Sequence, residues 1–457
     1  MTNDDSNLAI LLNGPQGLRN ATSDLGLGGI TSRAVNVADF DRDGHPDLVF
    51  NSADGIRGYR NQGPPNYTFQ ELNGGWRVPN DNPEGALALD FDGDGLPDYL
   101  HAGQDIFVLR NGGERNGPVD VSDALGVGRN GFGKGNGSYI LALDFNNDAF
   151  TDFVYFLGNR GVVAQNQAGK RFEQVNNGLW VDEGAQERYQ LKPGLASGDL
   201  NNDGWVDVVA PGPSGLKVFL NAQGRFTEAQ NALGDLNRLG GNSTRAAALA
   251  DFDLDGDLDL LVYVLRDGMR AFVNQDGKGR FVDITDSLDP NFKSQNRVSY
   301  IATPDLNGDG APDVVLWRGD SSTMWVTERQ ASPGAQPLRV RFHTAGAPAP
   351  LGARVEVVDA WQRTQTQWVS GGDGRGGQAS SQLVFGVPPG KTRITVTYPG
   401  GAKQQDAVVV ERAGSIATVT AQGIRSGAAP AAAQPNPPQP APPPPPSRPP
   451  SPAPGPT

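Results

Sequence analysis

The residues whose types and spacing are best suited to binding a ligand are aspartates that recur in six short loops. The loops read DFDRDGHPD, DFDGDGLPD, DFNNDAFTD, DLNNDGWVD, DFDLDGDLD and DLNGDGAPD, and loops one to six begin at Asp39, Asp90, Asp144, Asp199, Asp251 and Asp305. Each loop has Asp or Asn at positions 1, 3, 5 and 9, and five of the six have glycine at position 6. Calcium prefers about 6–8 hard oxygen ligands, which a tight turn can bring onto one ion. The spacing therefore predicts about six Ca²⁺ sites.

The predicted ligands are the side chains at positions 1, 3, 5 and 9, together with the backbone carbonyl at position 7. Loop by loop, these residues are Asp39, Asp41, Asp43, His45 and Asp47; Asp90, Asp92, Asp94, Leu96 and Asp98; Asp144, Asn146, Asp148, Phe150 and Asp152; Asp199, Asn201, Asp203, Trp205 and Asp207; Asp251, Asp253, Asp255, Asp257 and Asp259; and Asp305, Asn307, Asp309, Ala311 and Asp313. Glycine at position 6 permits the positive φ that wraps the chain around an ion.

An EF-hand is excluded by the residues beyond the loop. Position 12 should be a bidentate glutamate, but it is Phe50 in loop one and Tyr155 in loop three, and the flanking segments have the pattern of strands. Metal-free Asp-Gly turns are the plain alternative, because both residues favour hairpins. Six loops in register, each with three or four aspartates at the ligand positions, favour the metal.

The elements that position these loops repeat every 51–55 residues. Each repeat has a strand of small and apolar residues before the loop, a β-branched strand after it, a third strand and often a fourth, which is typical of a propeller blade. The sequence therefore predicts an all-β protein in which residues 1–336 form a six-bladed β-propeller, with seven blades as the open alternative. Residues 8–24 resemble the third and fourth strands of a repeat, so we expect them to close the ring by completing the last blade.

The C-terminal third of the chain differs from the repeats. Residues 337–422 keep alternating strands but have no acidic loop, which predicts a separate small β domain. Residues 423–457 form a tail with 15 prolines between Pro430 and Pro456. Such a composition cannot bury a core, so we expect the tail to be disordered or in polyproline II.

Composition and charge exclude several classes of protein. The chain has no cysteine and three histidines, which excludes disulfides and disfavours zinc. Its net charge of −13 disfavours nucleic acid as a partner. No apolar run approaches the ~18 residues of a membrane span, so we expect none. The first dozen residues carry two acids and no base, and they do not have the pattern of a signal peptide.

The loops resemble the FG-GAP or VCBS repeats of integrin-α-type β-propellers. Residues 337–422 resemble the ASPIC/UnbV domain found after such propellers in bacterial proteins and in the cartilage acidic protein family. The second resemblance rests on GARV at 352–355, TQT at 364–366, LVFG at 383–386, and ITV at 394–396 leading to PGG at 399–401. Ala149, at position 6 of loop three, departs from the repeat pattern. The resemblance implies a non-catalytic propeller that is extracellular, on the cell surface or in the periplasm.

These observations predict a calcium-stabilised binding or scaffold protein that mediates adhesion or assembly. Its partner would be a protein or glycan bound at a propeller rim, or a larger surface assembly. Two alternatives stay open. One is a polysaccharide-acting lyase or hydrolase that uses a carboxylate pair as acid and base, although nearly every clustered aspartate is assigned to a loop. The other is a structural subunit of an envelope complex.

Overall fold

The computed structural model describes residues 8–428 apart from the segments 15–16, 33, 53–54, 73–84, 103–104, 114–116, 129, 133–136, 158–159, 180–193, 213–214, 230–233, 236–238, 240–242, 319–321, 326–331, 348–349, 372–381 and 412–413. Residues 429–457, and with them the proline-rich part of the predicted tail, lie outside the described residues. The described chain begins with the antiparallel strands β1 (Leu11–Gly14) and β2 (Gly17–Asn20).

The first five repeats each form one four-stranded antiparallel sheet whose strands follow chain order. The acidic loop connects the first strand to the second. The strands of these sheets are β3 (Ala34–Ala38), β4 (Asp47–Ser52), β5 (Gly55–Asn61) and β6 (Phe69–Glu71); β7 (Gly85–Leu89), β8 (Asp98–Ala102), β9 (Ile106–Asn111) and β10 (Pro118–Asp120); β11 (Gly137–Leu143), β12 (Asp152–Leu157), β13 (Arg160–Asn166) and β14 (Phe172–Val175); β15 (Ala196–Gly198), β16 (Asp207–Gly212), β17 (Gly215–Ala222) and β18 (Arg225–Glu228); and β19 (Thr244–Ala250), β20 (Asp259–Val264), β21 (Gly268–Asn274) and β22 (Phe281–Asp283).

The sixth repeat is shorter in the described residues. It begins after a 3₁₀ turn (Thr285–Ser287) and the one-turn helix α1 (Pro290–Lys293), whose first turn is capped by the Asp289 side chain. Its sheet has three strands, β23 (Tyr300–Ala302), β24 (Val314–Trp317) and β25 (Ser322–Trp325).

Buried apolar side chains fill the space between neighbouring repeats. One cluster joins Leu87 and Leu100 of repeat two to Ile140 and Phe153 of repeat three. Similar clusters join repeats three and four, four and five, and five and six. Short first strands rich in small residues, such as GALAL in β7, allow this close packing. The fold is therefore all-β, and its side-by-side antiparallel sheets are consistent with a β-propeller.

The N-terminal hairpin lies between the sixth and the first repeats. In the described residues β1 and β2 pair with each other, and no pairing with β25 is seen. The Asn13 amide donates a hydrogen bond to the carbonyl of Leu306 in loop six, and Leu25 and Leu27 pack in one cluster with Phe50 of repeat one. The expectation that residues 8–24 add strands to the last sheet is thus not met among the described strands, because the hairpin forms a sheet of its own.

The C-terminal domain is built from two four-stranded sheets and one 3₁₀ turn (Pro399–Gly401). Its strands are β26 (Gln336–Phe342), β27 (Arg354–Val358), β28 (Thr364–Trp368), β29 (Leu383–Val387), β30 (Gly390–Thr397), β31 (Lys403–Val410), β32 (Ser415–Thr420) and β33 (Gly423–Ala428). The strand orders are β29-β26-β32-β33, with β26 and β32 parallel, and β28-β27-β30-β31.

The domain extends further along the chain than the sequence indicates. Residues 423–428, which are predicted to belong to the tail, form β33 and pair antiparallel with β32. The reason is that Gly423, at φ +124°, makes the turn, and Ile424 is buried against the domain core.

The domain also shares its core with the propeller. One cluster of buried residues contains Phe40 and Tyr99 of the first two repeats together with Leu338, Val355 and Phe385 of the domain. The two parts of the chain are therefore packed against each other through apolar contacts.

No helix in the described ranges has both the length and the apolar character of a membrane span.

Candidate metal centre at the acidic loops

All six loops fold with the same internal hydrogen bonds. The position 1 carboxylate accepts from the N–H at position 6 over 2.8–3.2 Å. The oxygen at position 3 accepts from the N–H at position 5, and the position 5 carboxylate accepts from the N–H at position 7. These bonds turn the side chains of positions 1, 3 and 5 toward the inside of each loop.

Two residues of every loop have positive φ. Position 6 is the one that the sequence predicts, and even Ala149 adopts a φ of +66° there. Position 4 was not predicted, because it is glycine only in loops two and six; its φ is +60° at Arg42 and +56° at Leu254. Residues other than glycine are disfavoured in this region of the backbone, so loops with such residues at position 4 or 6 close at a conformational cost that loops two and six, with glycine at both positions, do not have.

Three loops bring three carboxylates together. In loops one, two and five the oxygens at positions 1, 3 and 5 all lie within 4.8 Å of one another; these triads are Asp39, Asp41 and Asp43; Asp90, Asp92 and Asp94; and Asp251, Asp253 and Asp255. In loops three, four and six position 3 is asparagine, and its amide donates to the position 5 carboxylate over 2.9–3.0 Å. The loops therefore fall into two charge classes.

The aspartate at position 9 connects its loop to the sheet. In repeats one to five one of its oxygens accepts from the N–H at position 2 and the other from the N–H of an asparagine that lies at or near the end of the third strand, over 2.6–3.2 Å. Each carboxylate oxygen has a second lone pair, so these bonds leave room for a metal ligand bond. The assignment of position 9 as a ligand, like that of the position 7 carbonyl, stays a prediction.

Burial and mutual repulsion make the ionised form of the loop carboxylates costly. Burial and the neighbouring carboxylates of Asp94 and Asp92 raise the pKa of Asp90 to about 7. Burial, with help from Asp255 and Asp253, raises the pKa of Asp251 well above its usual range. Among the described residues, one oxygen each of Asp251 and Asp305 is buried without a hydrogen-bond partner. Buried carboxylates of this kind require compensation, and a hard, oxygen-seeking divalent ion such as Ca²⁺ provides it. The residues present therefore fit calcium.

Arginines next to the loops were not predicted from the sequence. Arg60 pairs with Asp41 at 2.5 Å and with Asp43 at 3.3 Å, and Arg110 pairs with Asp92 at 2.7 Å and with Asp94 at 3.6 Å. Each precedes the third-strand asparagine of its repeat, so the Arg-Asn dipeptide of repeats one and two was an available signal; repeat five, whose loop also has a carboxylate triad, has Val273 at this place. Repeats three and four have Gln165 and Leu220 at this place, next to loops with fewer carboxylates.

The C-terminal domain covers the acidic loops. Thr344 donates to Asp39 of loop one, the Gly386 N–H to Asp251 of loop five, and Arg339 to Asp305 of loop six; the Gly400 N–H donates to the carbonyl of Ala149 in loop three. In loop two, a β-carbon at Gly93 would lie 2.8 Å from the Cα of Gly400. The sequence did not predict this arrangement, because repeat spacing gives no information on where a second domain docks.

Comparison with known proteins agrees with this architecture. The family model of the FG-GAP-like repeat matches residues 39–101 and 199–262, and the model described as ASPIC and UnbV matches residues 343–420. The chain thus contains FG-GAP-like repeats and an ASPIC/UnbV domain over these residues, as its sequence predicts.

Two curated relatives are vertebrate proteins. Cartilage acidic protein 1 of Xenopus tropicalis is 24% identical over 408 residues, covering 80% of this chain and 61% of the relative. Cartilage acidic protein 1 of Mus musculus is 25% identical over 264 residues, covering 54% of this chain and 40% of the relative. The predicted similarity to this family is confirmed, although the chain spans about three fifths of the length of these relatives or less.

Two solved structures that align with the chain are less similar to it in sequence than these relatives. A lectin of Agrocybe aegerita that recognises non-reducing terminal N-acetylglucosamine has 20% identity and a TM-score of 0.49, covering 73% of this chain and 93% of the lectin. PorZ, a surface component of the type IX secretion system of Porphyromonas gingivalis, has 12% identity and a TM-score of 0.43, covering 88% of this chain and 56% of PorZ.

Proposed function

We propose that this protein is a calcium-stabilised, non-catalytic binding or scaffold protein that acts outside the cell in adhesion or assembly. The observation that carries the proposal is the common geometry of the six loops, which turn oxygen ligands inward and leave buried carboxylate oxygens of Asp251 and Asp305 without a partner among the described residues. The FG-GAP repeats and the similarity to cartilage acidic protein 1 support the extracellular role.

Calcium would supply the charge that these loops lack. The residues at positions 1, 3 and 5 would hold the ion. The aspartate at position 9 would connect the ion-bound loop to the sheet, because it accepts hydrogen bonds from the N–H at position 2 and from the third strand. Modules in extracellular fluid commonly bind calcium with dissociation constants of about 10⁻⁴–10⁻³ M. Sites of this class would be occupied outside the cell, where they would rigidify one rim of the propeller.

The partner surface follows from the position of the C-terminal domain. Because that domain covers the acidic rim, we place a protein or glycan partner at the opposite rim or on the outer face of the C-terminal domain. A role as a subunit of a larger surface assembly would use the same surfaces. The loop carboxylates accept hydrogen bonds from their own backbone, which supports a ligand role for them over acid–base catalysis.

The ring is proposed to have seven blade positions. An asparagine in the third strand of repeats two to five donates to the position 2 carbonyl of the preceding loop, over 2.7–2.9 Å. Asn13 makes the same bond to Leu306, at position 2 of loop six. By this relationship β1 stands at the third-strand position of a blade that follows repeat six, which favours the seven-position alternative.

Calcium stoichiometry tests the proposed function. We expect the purified full chain, after dialysis against chelator and then calcium, to bind about six ions per molecule. Asp253→Ala in loop five should remove one of them. Asp406→Asn is the matched control, because Asp406 is exposed on β31, and it should leave the number unchanged. A wild-type chain that binds no calcium at millimolar concentration contradicts the proposal.

A further inference from the structure

The C-terminal domain contacts the same atom in three different loops. Thr344 Oγ1 donates to Asp39 Oδ2 over 2.6 Å, the Gly386 N–H donates to Asp251 Oδ2 over 3.2 Å, and Arg339 Nη1 lies 3.3 Å from Asp305 Oδ2. Each acceptor is the position 1 aspartate, in loops one, five and six. Three unrelated donors, a hydroxyl, a backbone amide and a guanidinium, thus converge on one type of oxygen.

That oxygen already has a donor from within its own loop. The N–H at position 6 bonds to the Oδ2 of Asp39, Asp251 and Asp305 over 2.9–3.2 Å. Two donors satisfy both lone pairs of Oδ2, so the carboxylate is fixed with its other oxygen, Oδ1, facing the loop interior. At Asp251 and Asp305 this Oδ1 is buried and has no hydrogen-bond partner in the described part of the chain.

The other three loops are different. The hydrogen bonds described for the position 1 carboxylates of Asp90, Asp144 and Asp199 all come from residues of their own loops. The domain does approach these loops: the Gly400 N–H bonds to the carbonyl of Ala149. There, however, it contacts the backbone and not the first ligand.

The C-terminal domain packs tightly against loops one, five and six. The side chains of Arg339 and Asp305 are each 2% exposed, so their ion pair is shielded from water. A β-carbon at Gly44 would lie 2.8 Å from the Cβ of Ala345, and one at Gly256 would lie 2.9 Å from the Nε2 of Gln365. The glycine at position 6 therefore has a second role here, since it leaves space for the domain.

We propose that the C-terminal domain completes the calcium sites of loops one, five and six from outside. Thr344, the Gly386 amide and Arg339 are positioning groups that hold the first ligand of each loop with Oδ1 toward the ion. This inference rests on the proposed calcium function and deepens it. Outer-shell partners commonly change metal affinity by about 10–100-fold. By linkage, calcium at these loops and docking of the domain strengthen each other by the same factor, while loops two, three and four bind calcium independently of these donors.

Thr344 gives the sharpest test, because it is uncharged and can be replaced by an isostere. In calcium titrations of the full chain by calorimetry, Thr344→Val should weaken one ion by about tenfold and leave the others unchanged. Thr344→Ser keeps the hydroxyl and should restore wild-type affinity. Thr395→Val is the control, because Thr395 lies in the same domain and its hydroxyl is directed to Gln405. Circular dichroism at saturating calcium checks that each variant is folded.

A double-mutant cycle assigns the effect to loop one. Asp43→Ala removes that site, and adding Thr344→Val to it should then cause no further loss of calcium affinity. If Thr344→Val binds calcium like wild type, or if it weakens binding equally in the Asp43→Ala background, the inference is overturned while calcium binding itself stands. If the wild-type chain binds no calcium, it is the proposed function that fails.

Discussion

The side-chain amide of Asn13 donates a hydrogen bond to the backbone carbonyl of Leu306, 2.6 Å away and 293 residues later in the chain. Four other asparagines make the equivalent bond between neighbouring repeats. The N-terminal hairpin is therefore joined to repeat six by the same type of contact that joins the repeats to each other. Leu25 and Leu27, which follow the hairpin in the chain, pack against repeat one.

Deleting the hairpin should open the structure. A chain that starts at Thr31 would expose Phe50, Leu48 and Tyr59 of repeat one, which the hairpin covers, as well as unpaired edges. We expect it to aggregate and to unfold at a lower temperature than the full chain, measured by light scattering and a thermal melt. The milder Asn13→Ala should cost on the order of 1 kcal/mol. A monomeric truncated protein with an unchanged melt is the opposite result.

Loop three should lose calcium first as the ion is withdrawn. It has three aspartates at its ligand positions, and Ala149 holds a φ of +66°, which costs an alanine on the order of 1 kcal/mol relative to glycine. Ala149→Gly should therefore tighten this site by a few-fold. Gly95→Ala, at the equivalent position of loop two with a φ of +81°, should weaken its own site.

Crystals grown at limiting calcium would rank the loops. Calcium density should appear at Asp39 and Asp90 before it appears at Asp144. Full occupancy of loop three beside an empty loop one or two would mean that ligand charge and turn strain do not set the order.

The metal-free protein should become more stable on mild acidification. Burial is the main cause that raises the pKa of Asp47 to about 7 and that of Asp207 to about 8, from 3.8 in the unfolded chain. At pH values between the unfolded and the folded pKa, the folded state binds more protons than the unfolded chain does. The free energy of unfolding therefore falls as the pH rises from about 4 to 8. In chelator, we expect a higher melting temperature at pH 5 than at pH 7.5. Saturating calcium should reverse the trend, because protons then compete with the ion. A metal-free protein that loses stability between pH 7.5 and pH 5 contradicts this.

The end of the folded chain can be located by two truncations. A protein that ends at Ala428 should melt like the full chain, since the residues removed are mainly Ala and Pro and contribute little burial. A protein that ends at Gln422 loses β33 and the buried Ile424, and should melt several degrees lower. Equal melting temperatures for the two truncations would show that β33 adds nothing to stability.

Much of the fold and of the site was predictable because it is local. Six loops in register and a positive φ at position 6 follow from residue types and spacing, and the structure places even Ala149 in that conformation. The strand β33 was missed because its glycines and short length look like the beginning of the tail.

Other features depend on contacts across the chain and have no local pattern. Arg42 and Leu254 have positive φ at position 4 although neither residue type favours it; Arg42 uses this geometry to donate to the carbonyls of Asp94 and Gly95 in the next loop. Docking of the C-terminal domain on the acidic rim depends on surface shape, for example on the space beside Gly93 that Gly400 occupies. Neither the positive φ at position 4 nor the docking of the domain can be predicted from the repeat pattern of the sequence.

The most direct test of the central claim is one pair of thermal melts of the full chain, at pH 7.5 with millimolar calcium and with excess chelator. If the inward-facing carboxylates of the six loops hold calcium, ion binding contributes to the free energy of folding, and the calcium-loaded protein should unfold many degrees higher. Asp253→Ala should reduce the difference, and Asp406→Asn should not. Two wild-type curves that coincide would contradict the account.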